Sequence, residues 1–152
     1  MNPVKIVPVK TSRQYRLFAS FPWKIYKNDP LWVPPLLPER LKVLDPQRGT
    51  FFKRGTGECF IAYRDGQPVG TIAAAEDPPT NQARGTRECL IGFFECIDDP
   101  SVAEALFDQA AAWARQHHLD TLYGPFNLDY EDSYGVLIAG RDRPPVLLCG
   151  HT

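Results

Sequence analysis

Two apolar runs, Glu58–Arg64 and Pro68–Glu76, flank Asp65-Gly66, a pair that tolerates positive φ and therefore predicts a β-hairpin. A continuous apolar run follows at Cys89–Ile97, interrupted by one acid, Glu95. A strand apolar on both faces is a central strand covered above and below. Strict alternation would put Ile91, Phe93 and Ile97 on one face and Leu90, Phe94 and Cys96 on the other. Asp98-Asp99-Pro100-Ser101 then predicts a helix start in one of two registers. Either Asp99 caps with Pro100 at the first helical position, or Ser101 and Glu104 form a capping box. Val102, Leu106, Ala110 and Trp113 recur at helical spacing as its inward stripe, and the helix should end near His117.

The rest of the chain is less regular. Val4–Val9 reads as a first strand, and Ser12 as the cap of a helix over Arg13–Tyr26 that Pro22 would end or kink. Proline and aromatic residues crowd the segment from Phe21 to Pro38, which either wraps a core edge or forms a lid over a pocket. Glu39–Leu44 reads as a short helix, while Asp45–Thr56 and Ala83–Glu88 read as loops. Thr121–Tyr123 is a short strand, Gly124-Pro125 a break, Tyr130–Ile138 a candidate short helix and Val146–Cys149 a last strand. The order predicts an α/β fold of α+β layers, in which an antiparallel meander leads into a parallel βαβ step.

Composition narrows the function classes. In 152 residues, 17 basic and 18 acidic side chains leave a net charge of −1, which gives no basic field for nucleic acid. No apolar run approaches a membrane span, and MNPVKIVPVK is too polar for a signal peptide, so a cytoplasmic location is the default expectation. Residues 1–76 hold 12 Lys/Arg and 6 Asp/Glu, and residues 77–152 hold 5 and 12, so the two halves carry opposite charge. That asymmetry marks either a basic anion-binding face or two halves that attract on folding. Cys59, Cys89, Cys96 and Cys149 form no CxxC pair and no histidine set joins them, so reduced thiols and no metal are expected.

Several short pieces stand together in a meaningful order: Phe21-Pro22, Asp29-Pro30-Leu31-Trp32-Val33-Pro34-Pro35, Gly92-Phe93-Phe94-Glu95, Gly124-Pro125-Phe126-Asn127 and Gly135-Val136-Leu137-Ile138. In this set the chain resembles the amino-terminal part of longer GNAT-like proteins, the N-acyltransferase type of fold. The resemblance implies a mixed sheet that binds acetyl-CoA or another acyl-CoA where two parallel strands splay, and transfer of the acyl group to a small-molecule amine or peptide acceptor. It also implies that residues 1–152 form one domain of a longer protein, its sheet completed by a carboxyl-terminal domain or by a second copy in a homodimer. A catalytically degenerate module that binds a ligand or partner is the alternative.

Acyl transfer to an amine needs a base for the amine proton and a donor for the leaving thiolate. Glu95 is the candidate base, because burial within its apolar run would raise its pKa; the alternative is a carboxylate simply paired with an arginine. The resemblance makes Tyr130 and Tyr134 candidate acids, against a packing or surface role. Asn127 would orient a ligand amide or cap the next helix. By the same resemblance Ile97, Ser101 and Val102 mark where a pyrophosphate would sit on early-helix N–H groups. Pro100 has no N–H to give there, and Asp98 and Asp99 would repel an anion. Ser133 and Cys96 have no His/Asp arrangement near them in sequence, so nucleophilic catalysis has no support.

Overall fold

The hairpin forms where Asp-Gly places it. Asp65 and Gly66 both have positive φ, 52° and 74°, and join β2 (Thr56–Arg64) to β3 (Gln67–Glu76). Here and below the structure is a computed structural model, which describes residues 2–128, 134–140 and 142–145. β1 (Lys5–Pro8), β4 (Glu88–Cys96) and β5 (Thr121–Tyr123) complete one sheet in the order β1-β2-β3-β4-β5. The first four strands are antiparallel in turn, and β5 lies parallel to β4 after a helical crossover. This is the expected mixed sheet.

Both faces of the sheet are covered. On one side, α1 (Ser12–Tyr26) and α2 (Leu37–Val43) pack with Phe51 over Cys59, Ile61, Ala73, Ala75, Leu90 and Phe93. On the other, α4 (Pro100–Gln116) lays Val102, Leu106, Ala110 and Trp113 over Phe60, Ala62, Ile72, Ala74, Cys89 and Ile91. Each helix thus covers alternate residues of the same strands. Cys59, Cys89 and Cys96 are free thiols, and burial pushes Cys59 up to about 12 and Cys89 to about 11.

Strict alternation fails at one place. Thr71 pairs with Glu95 and Ala73 with Gly92, so Phe93 and Phe94 together oppose Ile72, and Phe93 takes a φ of 50°. This bulge puts Phe93 on the face of Leu90, not of Ile91 as alternation predicts, and sends Phe94 and Cys96 to the α4 face. Both backbone groups of Phe93 are held by side chains: its carbonyl accepts from buried Thr71 Oγ1 at 2.9 Å, and its N–H donates to Asn127 Oδ1 at 2.6 Å.

Other local readings need correction. Thr11, not Ser12, caps α1, in a capping box with Gln14. Pro22 does not end that helix, because Phe18, Ala19, Phe21 and Pro22 are all buried and their packing outweighs one lost ladder bond. The stretch read as a loop at Ala83–Glu88 begins inside α3 (Pro78–Arg84), which Asp77 caps and Gly85 ends at φ 66°. Residues 134–138 are not helical; Tyr134 forms an isolated bridge with Phe126. Tyr130 and Val146–Cys149 lie outside the described residues. For α4, the Asp99 register is the one adopted.

Candidate functional site

β4 outruns its parallel neighbour. Leu90 pairs with Tyr123, the last residue of β5, while β4 continues to Cys96. The chain after β5 stays beside β4 for a few residues through Phe126 N–H donating to Ile91 O at 2.7 Å and through the Asn127 bond to Phe93. Beyond that point the edge of β4 faces a cavity of about 400 Å³. Open α/β sheets bind ligands at this place, outside the carboxyl ends of parallel strands. The walls are Phe93–Cys96 of β4, Tyr26, Asp29 and Trp32 from the end of α1 and the loop after it, Pro125 and Asn127, and Gly135–Leu137.

Of the two acids in the cavity wall, Asp29 and Glu95, Glu95 is the one that β4 supplies. The bulge at Phe93 turns its side chain to the α1 side, where Tyr26 donates its phenolic O–H to Oε2 at 2.7 Å. Burial raises the Glu95 pKa above the ordinary carboxylate value; the Tyr26 bond and the positive charge of Arg40 pull it down without cancelling that rise. Arg40 is itself buried, with its guanidinium over the Phe93 ring at 4.7 Å from the centroid. The proline-aromatic segment both anchors and lines: Trp32 meets Trp23 edge-on and Tyr26 at a tilt, each at 5.4 Å, and stands in the cavity wall.

The structure thus brings Glu95 and Asn127 together at one cavity. Asn127 braces the bulge with its carbonyl oxygen, a role neither sequence reading names. Tyr134 is exposed beside the Gly135–Leu137 wall. Ile97, Ser101 and Val102 line no part of the cavity: Ile97 donates its N–H to Val69 O and packs toward α4, and Val102 is fully buried beneath the helix. The sequence does not single out Tyr26 or Arg40 as functional side chains, whereas Trp32 belongs to the proline-aromatic segment read as a wrap or a lid.

The start of α4 carries a second acid in a different state. Asp99 Oδ1 accepts from Ser101 N–H at 2.9 Å and from Ser101 Oγ at 2.7 Å, while Oδ2 pairs with the Arg64 guanidinium. Arg64 also donates to Ser101 Oγ at 2.8 Å. The Arg64 and Ser101 bonds hold the Asp99 carboxyl at about 2. A pyrophosphate does not fit here, because the helix start presents a fixed carboxylate where an anion would need free N–H groups.

Known proteins share this layout. The chain superposes with a TM-score of 0.59 on a tandem GNAT protein from the clavulanic acid biosynthesis pathway, at 16% identity over 78% of this chain and 35% of that one. It superposes at 0.58 on a predicted acetyltransferase with acetyl-CoA from Clostridium acetobutylicum, at 13% identity over 79% of each chain. The chain has a GNAT-type fold. No protein-family profile matches it. In sequence it is similar to a bacterial ceramide synthase of Caulobacter vibrioides, 36% identical over 149 residues, 97% of this chain and 39% of that protein. It is also similar to Protein YghO of Escherichia coli, 35% identical over 137 residues, 90% of this chain and 35% of that protein. The chain therefore spans two fifths or less of these relatives' length. In this GNAT-type fold, no helix among the described residues is long and apolar enough to cross a membrane.

Proposed function

We propose that this GNAT-type domain is an N-acyltransferase that moves an acyl group from an acyl thioester, acetyl-CoA or another acyl-CoA, to an amine, with Glu95 as general base. The observation that carries this reading is the Glu95–Tyr26 pair at the cavity beyond the parallel strands. A carboxylate whose proton affinity is raised by burial accepts a proton nearer neutral pH than an exposed one. The acceptor enters as a neutral amine and Glu95 as a carboxylate. The amine nitrogen attacks the thioester carbonyl and the C–N bond forms; Glu95 takes the proton that the now positively charged nitrogen sheds, the C–S bond breaks, and that same proton passes from Glu95 to the departing thiolate. The cavity's aromatic and aliphatic walls suit apolar parts of donor or acceptor. One relative is named a ceramide synthase, and a ceramide is the amide of a fatty acid with a long-chain amino alcohol, which supports a lipid amine as acceptor.

The second reading, a module that binds a ligand or partner without turnover, draws on the filled start of α4. Amide formation from a long-chain acyl-CoA and a long-chain amino alcohol, followed by mass spectrometry on the full chain, separates the two. Product that Glu95→Gln removes supports the transferase. Ligand binding with no product in the wild type supports the module.

A further inference from the structure

The backbone donors at the start of α4 can be accounted for one by one. Asp99 N–H donates to Ile97 O at 2.7 Å. Pro100 has no N–H. Ser101 N–H is taken by Asp99 Oδ1, and the N–H groups of Val102 and Ala103 reach Asp99 O at 3.0 and 3.4 Å. Anion sites at helix starts work because these same groups point outward with no partner. Here the chain supplies its own anion.

The local cation is occupied as well. Arg64 places one terminal nitrogen on Asp99 Oδ2 and the other on Ser101 Oγ, with both Arg64 and Asp99 largely shielded from water. Asp98 stands exposed beside them and adds a second negative side chain. A diphosphate arriving here meets two carboxylates, a guanidinium whose two terminal nitrogens are engaged and whose Nε is buried, and no outward N–H among Asp99–Ala103. The cavity at Glu95, by contrast, is open and largely apolar.

From this disagreement between the fold's expected donor and the residues present, we infer that the acyl donor is recognised through its acyl group and thioester arm and not through a pyrophosphate at α4. A pantetheine thioester carrying no nucleotide, free or on a carrier protein, is then as good a donor as the corresponding CoA thioester. This rests on the transferase reading above for its chemistry, but the closed helix start is an independent observation.

The test uses the full chain with one acyl group on three carriers: CoA, pantetheine and an acyl carrier protein. The expected kcat/KM values for CoA and pantetheine thioesters agree within about threefold. A CoA preference of about 100-fold or more, reduced by Arg64→Gln, overturns the inference. The carrier-protein arm identifies the source: faster transfer than from free pantetheine assigns a carrier-borne donor, and equal or slower transfer assigns the free thioester, both with the nucleotide dispensable. If no thioester reacts, the transferase reading fails and calorimetry with inorganic pyrophosphate decides the inference alone. No heat at millimolar pyrophosphate, or heat indifferent to both Arg64→Gln and Asp99→Asn, upholds it. Salt-sensitive binding that either variant alters overturns it. Asp99→Asn keeps a competent helix cap, so this arm stands even where Arg64→Gln folds poorly.

Discussion

Glu95 and Asp99 stand four residues apart in sequence, at the end of β4 and the start of α4, and the fold drives their proton affinities in opposite directions. Glu95 is turned by the Phe93 bulge into a cavity wall, where burial outweighs a phenol and a nearby guanidinium and its pKa rises. Asp99 is gripped by Arg64 and Ser101 and held at about 2. Both are carboxylates, so residue type cannot explain the split. Burial favours the protonated form of Glu95, and the Arg64 and Ser101 bonds favour the ionised form of Asp99. On the transferase reading proposed above, this split is what suits Glu95 to proton transfer and leaves Asp99 a structural role.

The largest expected effect comes from removing the ionisable member. Glu95→Gln keeps the size of the side chain and a group that can meet Tyr26, but cannot take a proton. Amide formation should fall about 100-fold or more, with thioester binding retained. A loss of only a few-fold, measured as kcat/KM, would make Glu95 a wall residue and end its contrast with Asp99.

Loosening α4 tests whether the two acids are separately supported. Leu106 is fully buried against β3, where a Cβ added at Gly70 would meet its side chain at 2.8 Å. Leu106→Ala should cost about 2–5 kcal/mol in denaturant unfolding. Because Glu95 points to the opposite face, the pH dependence of the remaining activity should not move. A shifted profile would show that the two faces are coupled.

Much of this arrangement was legible in the sequence, and the unreadable parts have specific causes. Asp65-Gly66 announced the hairpin because few other pairs accept two positive φ angles. The Val102–Trp113 stripe announced α4, and an acid inside an apolar run announced Glu95. The face of Phe93 relative to Ile91 was misread, because one bulged residue reverses every later side chain in a period-two strand. Gly92 and Thr71 were the available signals: a glycine inside a strand marks a bulge or close approach, and a Cβ at Gly92 would come within 2.1 Å of Phe126 O. Thr71 is a hydroxyl in a buried run and needs a partner, which the bulge carbonyl provides. Tyr26 was out of reach because it lies 69 residues from the acid it bonds. Of the two effects expected of Pro22, ending the helix does not occur, because local propensity ignores the packing that continues α1 to Tyr26.

Tyr26→Phe sharpens the contrast by a smaller step. The phenol lowers the Glu95 pKa, so its removal should raise that pKa further and move the acidic limb of the pH–activity profile upward. Activity below the limb should drop a few-fold while the plateau at higher pH is retained. Equal loss at every pH would instead mean that Tyr26 only shapes the wall.

The smallest effect belongs to Asp99, and its sign follows from linkage. Its carboxyl is at about 2 in the folded chain, below its value of about 3.9 when unfolded. Between those values the unfolded chain binds the extra proton, so stability rises with pH across this window. The contribution is fully present above the unfolded value and is lost as pH falls toward the folded one. Asp99→Asn preserves a cap for α4 and removes only the charge that Arg64 and Ser101 hold. The variant should melt slightly lower than wild type at neutral pH, and the two melting temperatures should converge as pH falls from about 4 toward 2. A constant gap across that range would mean that Asp99 acts through cap geometry and not through its charge. The two acids would then differ only in position, without the opposed proton affinities that distinguish the cavity from the helix start.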